Sequence, residues 1–150
     1  IVEMLFSTLL EILMIKKKIE LPVFEDVQMG LSTGLALQGF IPITCYPRFD
    51  FLILAMNQIV NHLDKIRHMS SNEFKPKVII RTSIGSKNPL DGGVQHTQNY
   101  TNIFKKILTE IEVVRLTKPT QIFKEYKKAY LRKDLKSTLM IEDGDSYNKN

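Results

Sequence analysis

The carboxylate best placed to do chemistry is Glu25. It follows Pro22-Val23-Phe24 and opens a glycine-bearing segment with helical spacing, Gln28 to Gln38. A carboxylate at a helix start is favoured by the helix dipole and by free backbone amides. On spacing alone Glu25 is a helix-start acid, a role it shares with Asp26. The second candidate is His96, just beyond the Gly92-Gly93 pair in a loop rich in Gly, Pro, Asn and Asp from Ser83 to Gln98. A structureless loop of that length inside a domain is functional or disordered. The flexible pair would let His96 point into a cleft; the alternative is a solvent-exposed loop histidine. His62 and His68 fall on a helical stretch and read as surface residues, and Cys45 reads as a small buried thiol. The acidic run Glu142-Asp143-Gly144-Asp145 lacks the ligand spacing of a calcium loop, so no metal site is expected there.

The elements that must position these residues alternate between two periods. Ile1 to Lys18 carries helical apolar spacing at Met4, Leu5, Leu9, Ile12 and Ile15. Ile41 to Cys45 reads as a short strand. Phe51 to Met69 reads as a long helix with the stripe Ala55, Ile59, Leu63 and Ile66. Lys77 to Thr82 is a β-branched run suited to a buried parallel strand. A helix over Tyr100 to Leu108, a strand over Glu112 to Arg115, a helix from Pro119 to Leu131 and a strand over Ser137 to Glu142 complete the series, with a frayed tail from 143 to 150. Strands separated by helices predict an α/β fold, a doubly wound and mostly parallel sheet flanked by helices. Ligands in such sheets sit beyond the carboxyl ends of the strands, here the loops after Cys45 and Thr82.

The chain has 150 residues, 43% hydrophobic and 25% charged, which predicts one domain over 1–150 with a real core. It opens on Ile rather than Met, so a fragment or a reduced subunit is expected. One cysteine allows no internal disulfide, which points to a reducing, cytoplasmic setting. No apolar run reaches the roughly 18 residues that span a bilayer. The net charge of +5 is spread over short groups such as Lys16 to Lys18 and Lys127-Lys128, a pattern of solvated faces that argues against nucleic acid.

Beyond these residue-level readings, the order of motifs resembles the pyrimidine-binding domain of thiamine-diphosphate enzymes, of the 2-oxo acid dehydrogenase beta-subunit type within the transketolase-like superfamily. The residues that carry the resemblance are Pro22-Val23-Phe24-Glu25, Gly30, Gly34 and Gly39-Phe40-Ile41-Pro42. They continue through Phe49-Asp50-Phe51, Asn57-Gln58-Ile59-Val60-Asn61, Val78-Ile79-Ile80-Arg81-Thr82, Gly85, Gly92, Gly93 and Gln95-His96-Thr97-Gln98. The chain departs from the family at Cys45, where an acid is common, and at Phe24, where a small residue is common.

The resemblance implies thiamine diphosphate as cofactor, with Glu25, Phe51 and Pro47 on its pyrimidine and with Glu25 and His96 as catalytic residues. Glu25 would share a proton with a pyrimidine nitrogen, and an apolar setting would raise its pKa. Phe51 is otherwise an ordinary core residue. The resemblance also implies that Gly30 and Gly34, on one helical face, lie at a subunit interface; tight internal packing is the alternative. The diphosphate-binding motif is missing, so the diphosphate and its Mg2+ would be held by an alpha-type partner subunit or domain, in a hetero- or homo-oligomer. The function implied is part of an enzyme acting on a 2-oxo acid or ketose. The alternative is a non-catalytic interaction module for a protein or nucleic acid on the same fold.

Overall fold

A computed structural model describes residues 18–146. The helix expected over Ile1 to Lys18 lies outside the described residues, apart from Lys18 itself, and so does the tail from 147. The described elements run α1 (Glu25–Leu37), β1 (Ile43–Tyr46), α2 (Phe49–Leu52), a 3-10 turn (Ile53–Ala55), a π-helical stretch (Asn57–Leu63), α3 (Ile66–Met69), β2 (Ile79–Ile84), α4 (Thr101–Ile107), β3 (Glu112–Leu116), α5 (Pro119–Leu131), β4 (Thr138–Asp143) and a closing 3-10 turn (Gly144–Ser146). The strands form one parallel sheet in the order β1-β2-β4-β3.

Side-chain alternation along the strands divides the core between the two faces. Val78, Ile80, Ile84, Leu139 and Ile141 pack with Met29, Phe49, Leu52, Ile59 and Phe104, beneath α1, the helical run after β1, and α4. Ile79 and Met140 point the other way, against Tyr126 and Ala129 of α5. Helices therefore cover both faces, as a doubly wound sheet requires. β2 is buried at all six positions, Ile79, Ile80 and Ile84 together with the polar Arg81, Thr82 and Ser83, so it does not alternate between core and solvent.

Local chemistry sets the helix ends. α1 starts with Glu25 and Asp26 in its first turn and without a side-chain N-cap. α5 opens on Pro119, and the Gln121 side chain accepts the amides of Thr117 and Lys118 at 3.0 Å each. At its other end Lys77, drawn inside from the start of β2, donates to the carbonyls of Tyr130 and Arg132 at 2.5 and 3.1 Å. A cation on those carbonyls complements the helix dipole. The run from Phe49 to Met69 is not one α-helix. Its register widens at Asn57–Leu63, closing with an Asp64 amide to Ile59 carbonyl bond of 2.9 Å. Ala55, Ile59 and Leu63 still form the expected buried stripe, while Ile66 is only half-buried. Of the stretch expected to fray, Asp143 closes β4 and Gly144–Ser146 form a turn: Gly144 is buried, and a Cβ there would come within 2.7 Å of the Ile84 carbonyl oxygen. β2 and β4 exit so close together that only a glycine fits at that point.

Two buried carboxylates hold the sheet together. Glu142 receives Arg81 at 2.7 to 3.2 Å through two guanidinium nitrogens, and the Tyr126 hydroxyl at 2.7 Å. Burial, reinforced by the adjacent Glu142 charge, drives the Tyr126 phenol well above its ordinary pKa. Asp64 is fully buried and accepts the amides of Thr109, Glu110 and Ile111 at 2.8 to 3.2 Å, fixing the entry to β3. Burial pushes its pKa up, but the Lys65 ammonium and the amides outweigh this and hold it below the usual carboxylate range.

Because removing one partner of a buried pair strands the other charge, Arg81→Met or Glu142→Gln is expected to cost about 3–5 kcal/mol, read by urea unfolding. Asp64→Ala strands three amides and is expected to cost about 3 kcal/mol at neutral pH. Between the depressed folded pKa and the unfolded value of about 4, the unfolded chain takes up a proton that the folded chain refuses. The stability from Asp64 is thus complete above about pH 4 and is lost as pH falls through the folded pKa. The gap between wild type and variant should close over that acid range in unfolding titrations.

Candidate functional site

The carboxyl end of the sheet gathers most of the candidate residues. α1 returns along β1, so its first turn meets the strand's last residue. The Tyr46 hydroxyl donates to the Glu25 carbonyl at 3.2 Å. One turn further on, Gln28 donates to the Thr44 hydroxyl and the Cys45 carbonyl at 2.8 and 2.9 Å. Glu25 is half-buried, and its carboxylate takes no hydrogen bond or ion pair among the described residues. Its neighbour Asp26 accepts the Gln58 amide at 3.4 Å.

Pro47 lies at the surface directly after β1, and its carbonyl accepts the Ser83 hydroxyl at 2.7 Å, tying the ends of β1 and β2. Phe51 follows on α2, with 39% of its surface exposed. The His96 ring meets it edge to face, with centroids 5.5 Å apart at 64°. Phe51 and His96, 45 positions apart in sequence, are therefore in direct contact. Phe51 is half in solvent rather than in the core.

The long loop after β2 is held where it leaves and where it returns. Asp145 accepts the Ser86 hydroxyl and the amides of Lys87 and Asn88 at 2.8 to 3.1 Å. Gly85 sits against the returning strand of chain: a Cβ there would lie 1.7 Å from the His96 carbonyl oxygen. Buried Asp50 accepts the Gln98 amide at 3.3 Å. The Asp50 Oδ2 and the Thr82 hydroxyl are buried without a partner.

The remaining candidates separate. Cys45 is half-buried, and burial pushes its thiol up to about 12, which makes it inert as a nucleophile. His62 and His68 are exposed. The two helix glycines do not behave alike. A Cβ at Gly30 would meet Gln58 of the same chain at 3.8 Å, whereas Gly34 has open space above it. Glu25, Phe51 and His96 line neither of two small crevices, one beside Leu63 and Ser137 and one of about 50 Å3 between Leu116, Pro119 and Ile122. Phe51 and His96 touch each other, and Glu25 stands at the end of β1.

Asp50, Asp145 and Gln28 were not singled out in the sequence. Asp50 had one visible signal, an acid flanked by Phe49 and Phe51 where a helix begins. Gln28 had none, since Thr44 lies 16 positions away, and Asp145 showed only within an acidic run, its partners lying more than 50 positions away.

No family model matches the chain. Curated proteins do. Over 92 residues, 61% of this chain, it is 33% identical to the pyruvate dehydrogenase E1 component subunit beta of Rickettsia conorii, covering 28% of that protein. It is 29% identical over 89 residues to the 2-oxoisovalerate dehydrogenase subunit beta of Bacillus subtilis, covering 27% of it. It is 32% identical over 89 residues to a chloroplastic pyruvate dehydrogenase E1 beta subunit of Oryza sativa subsp. japonica, covering 22% of it. The chain thus spans about a quarter of the length of the curated relatives it matches. Over about three-fifths of its length the chain is thus similar to beta subunits of pyruvate and 2-oxoisovalerate dehydrogenases, and its four-stranded parallel sheet is the α/β fold that the motif order led us to expect.

Proposed function

We propose that this chain supplies the pyrimidine-binding side of a thiamine-diphosphate enzyme acting on a 2-oxo acid or a ketose, with Glu25 as its acid. The observation that carries this reading is the position of the Glu25 carboxylate. It stands half-buried at the carboxyl end of β1 without a hydrogen-bond partner among the described residues. The residues present fit one end of such a cofactor, since an unengaged carboxyl and a part-exposed aromatic ring, Phe51, stand at the same end of the sheet. When bound, thiamine diphosphate supplies the carbanion chemistry of 2-oxo acid decarboxylation and ketol transfer.

The chain's own residues do the rest. Glu25 holds a proton at its carboxyl oxygen toward a pyrimidine nitrogen. Phe51 and Pro47 offer apolar surface to the ring. His96, in a loop rather than in the core, handles protons on the substrate side. The diphosphate and its Mg2+ belong to an alpha-type partner, a division supported by the lack of a diphosphate-binding motif in the sequence. With such a partner, Glu25→Gln is expected to lower 2-oxo acid turnover about 100-fold or more while circular dichroism stays unchanged. Unchanged turnover removes the role given to Glu25.

A partner surface is supported by the outward side of α1, where Val27 and Leu31 are 51% and 39% exposed and Gly34 is uncovered. An exposed apolar patch of this kind marks an association site. It also serves the second reading, a non-catalytic module that binds a protein. Leu31→Asp is expected to weaken assembly in sedimentation runs while shifting the chain's own stability by no more than about 0.5 kcal/mol.

A further inference from the structure

We infer that Asp50 is the positioning residue that seats His96. Asp50 is 6% exposed, in the four-residue helix that follows Pro47 and Arg48. A buried carboxylate is costly unless it is hydrogen-bonded. Core packing does not require one at this point, because Phe49 and Leu52 on the same turn are fully buried and fill that space. What Asp50 does instead is accept the Gln98 amide through Oδ1 at 3.3 Å, two residues beyond His96. The neighbouring side chain, Phe51, meets the His96 ring itself.

The His96 carbonyl oxygen also abuts Gly85, at a point where no side chain fits. The returning limb of the loop is therefore gripped at two backbone points directly after the His96 side chain, whose imidazole lies against Phe51. The intervening residues 87–95 are exposed throughout. At 3.3 Å the Asp50 bond is longer than charge-assisted bonds usually are, about 2.7–2.9 Å. The limb is thus held but not locked, and Oδ2 remains a buried acceptor without a partner. The catalytic meaning of this seat rests on the role proposed for His96; the seat itself does not.

The test is NMR on the chain without cofactor, so failure of the thiamine-diphosphate reading leaves it untouched. The readout is the ring-current shift that Phe51 imposes on the His96 ring protons. Asp50→Ala is expected to abolish that shift while amide protection at Ile80 and Leu139 stays as in the wild type. Asp50→Asn keeps an oxygen for the Gln98 amide and is expected to restore it. A His96 shift that survives Asp50→Ala overturns the proposal, as does an Asn variant that behaves like Ala. Should Asp50→Ala not fold, Gln98→Pro deletes the donor at an exposed position and is read the same way: loss of the shift supports the seat, and retention overturns it.

Discussion

Two side chains hold the first turn of α1 against the carboxyl end of β1, and the candidate site depends on them. The Tyr46 hydroxyl reaches the Glu25 carbonyl, and Gln28 reaches both Thr44 and Cys45. Gln28 also satisfies a carbonyl on an edge strand, which would otherwise face water or another chain. Core packing of Met29 and Ala36 holds the body of α1, and these contacts hold its first turn. With them the Glu25 backbone is fixed, while its carboxylate remains unengaged at the strand end.

The other half of the site hangs from a different strand. β2 is central and fully buried, so its exit point is fixed, and the loop that leaves it is pinned by Asp145 at one end and by Gly85 and Asp50 at the other. His96 is thereby brought from a long loop onto Phe51, in the segment after β1. The division of labour is familiar in parallel sheets: rigid strands set positions, and the loops beyond their carboxyl ends carry the side chains that meet ligands. The charged cluster of Arg81, Glu142 and Tyr126 lies on the face toward α5, away from Glu25, and serves the sheet rather than the site.

Much of this was legible in the sequence, for physical reasons. β2 and β4 carry apolar cores, Val78 to Ile80 and Leu139 to Ile141, because both their faces are covered, and α5 has a proline at its first position. The alternation of strand and helix left little choice of fold class. The widened helical register after Ala55 was not legible, since the apolar stripe is the same for either register. Nothing local marks Asp64, because the three amides it caps lie 45 to 47 positions ahead. The closing turn after β4 looked like a tail because nothing local shows that Gly144 must pass between Ile84 and Ser86. At the site, Glu25 and His96 stood out only through the order of motifs around them. Asp50 showed only as an acid between two phenylalanines, because its partner is a backbone amide in a distant loop.

The account turns on one contact, between the Glu25 carboxyl and the pyrimidine of thiamine diphosphate. The most direct measurement is an amide and side-chain NMR titration of the chain with thiamine diphosphate in the millimolar range. The account predicts shifts concentrated at Glu25, Pro47, Phe51 and His96, with Leu116 and Ile122 unmoved. Shifts confined to the crevice between Leu116 and Ile122, or none at any of the four residues, would contradict it.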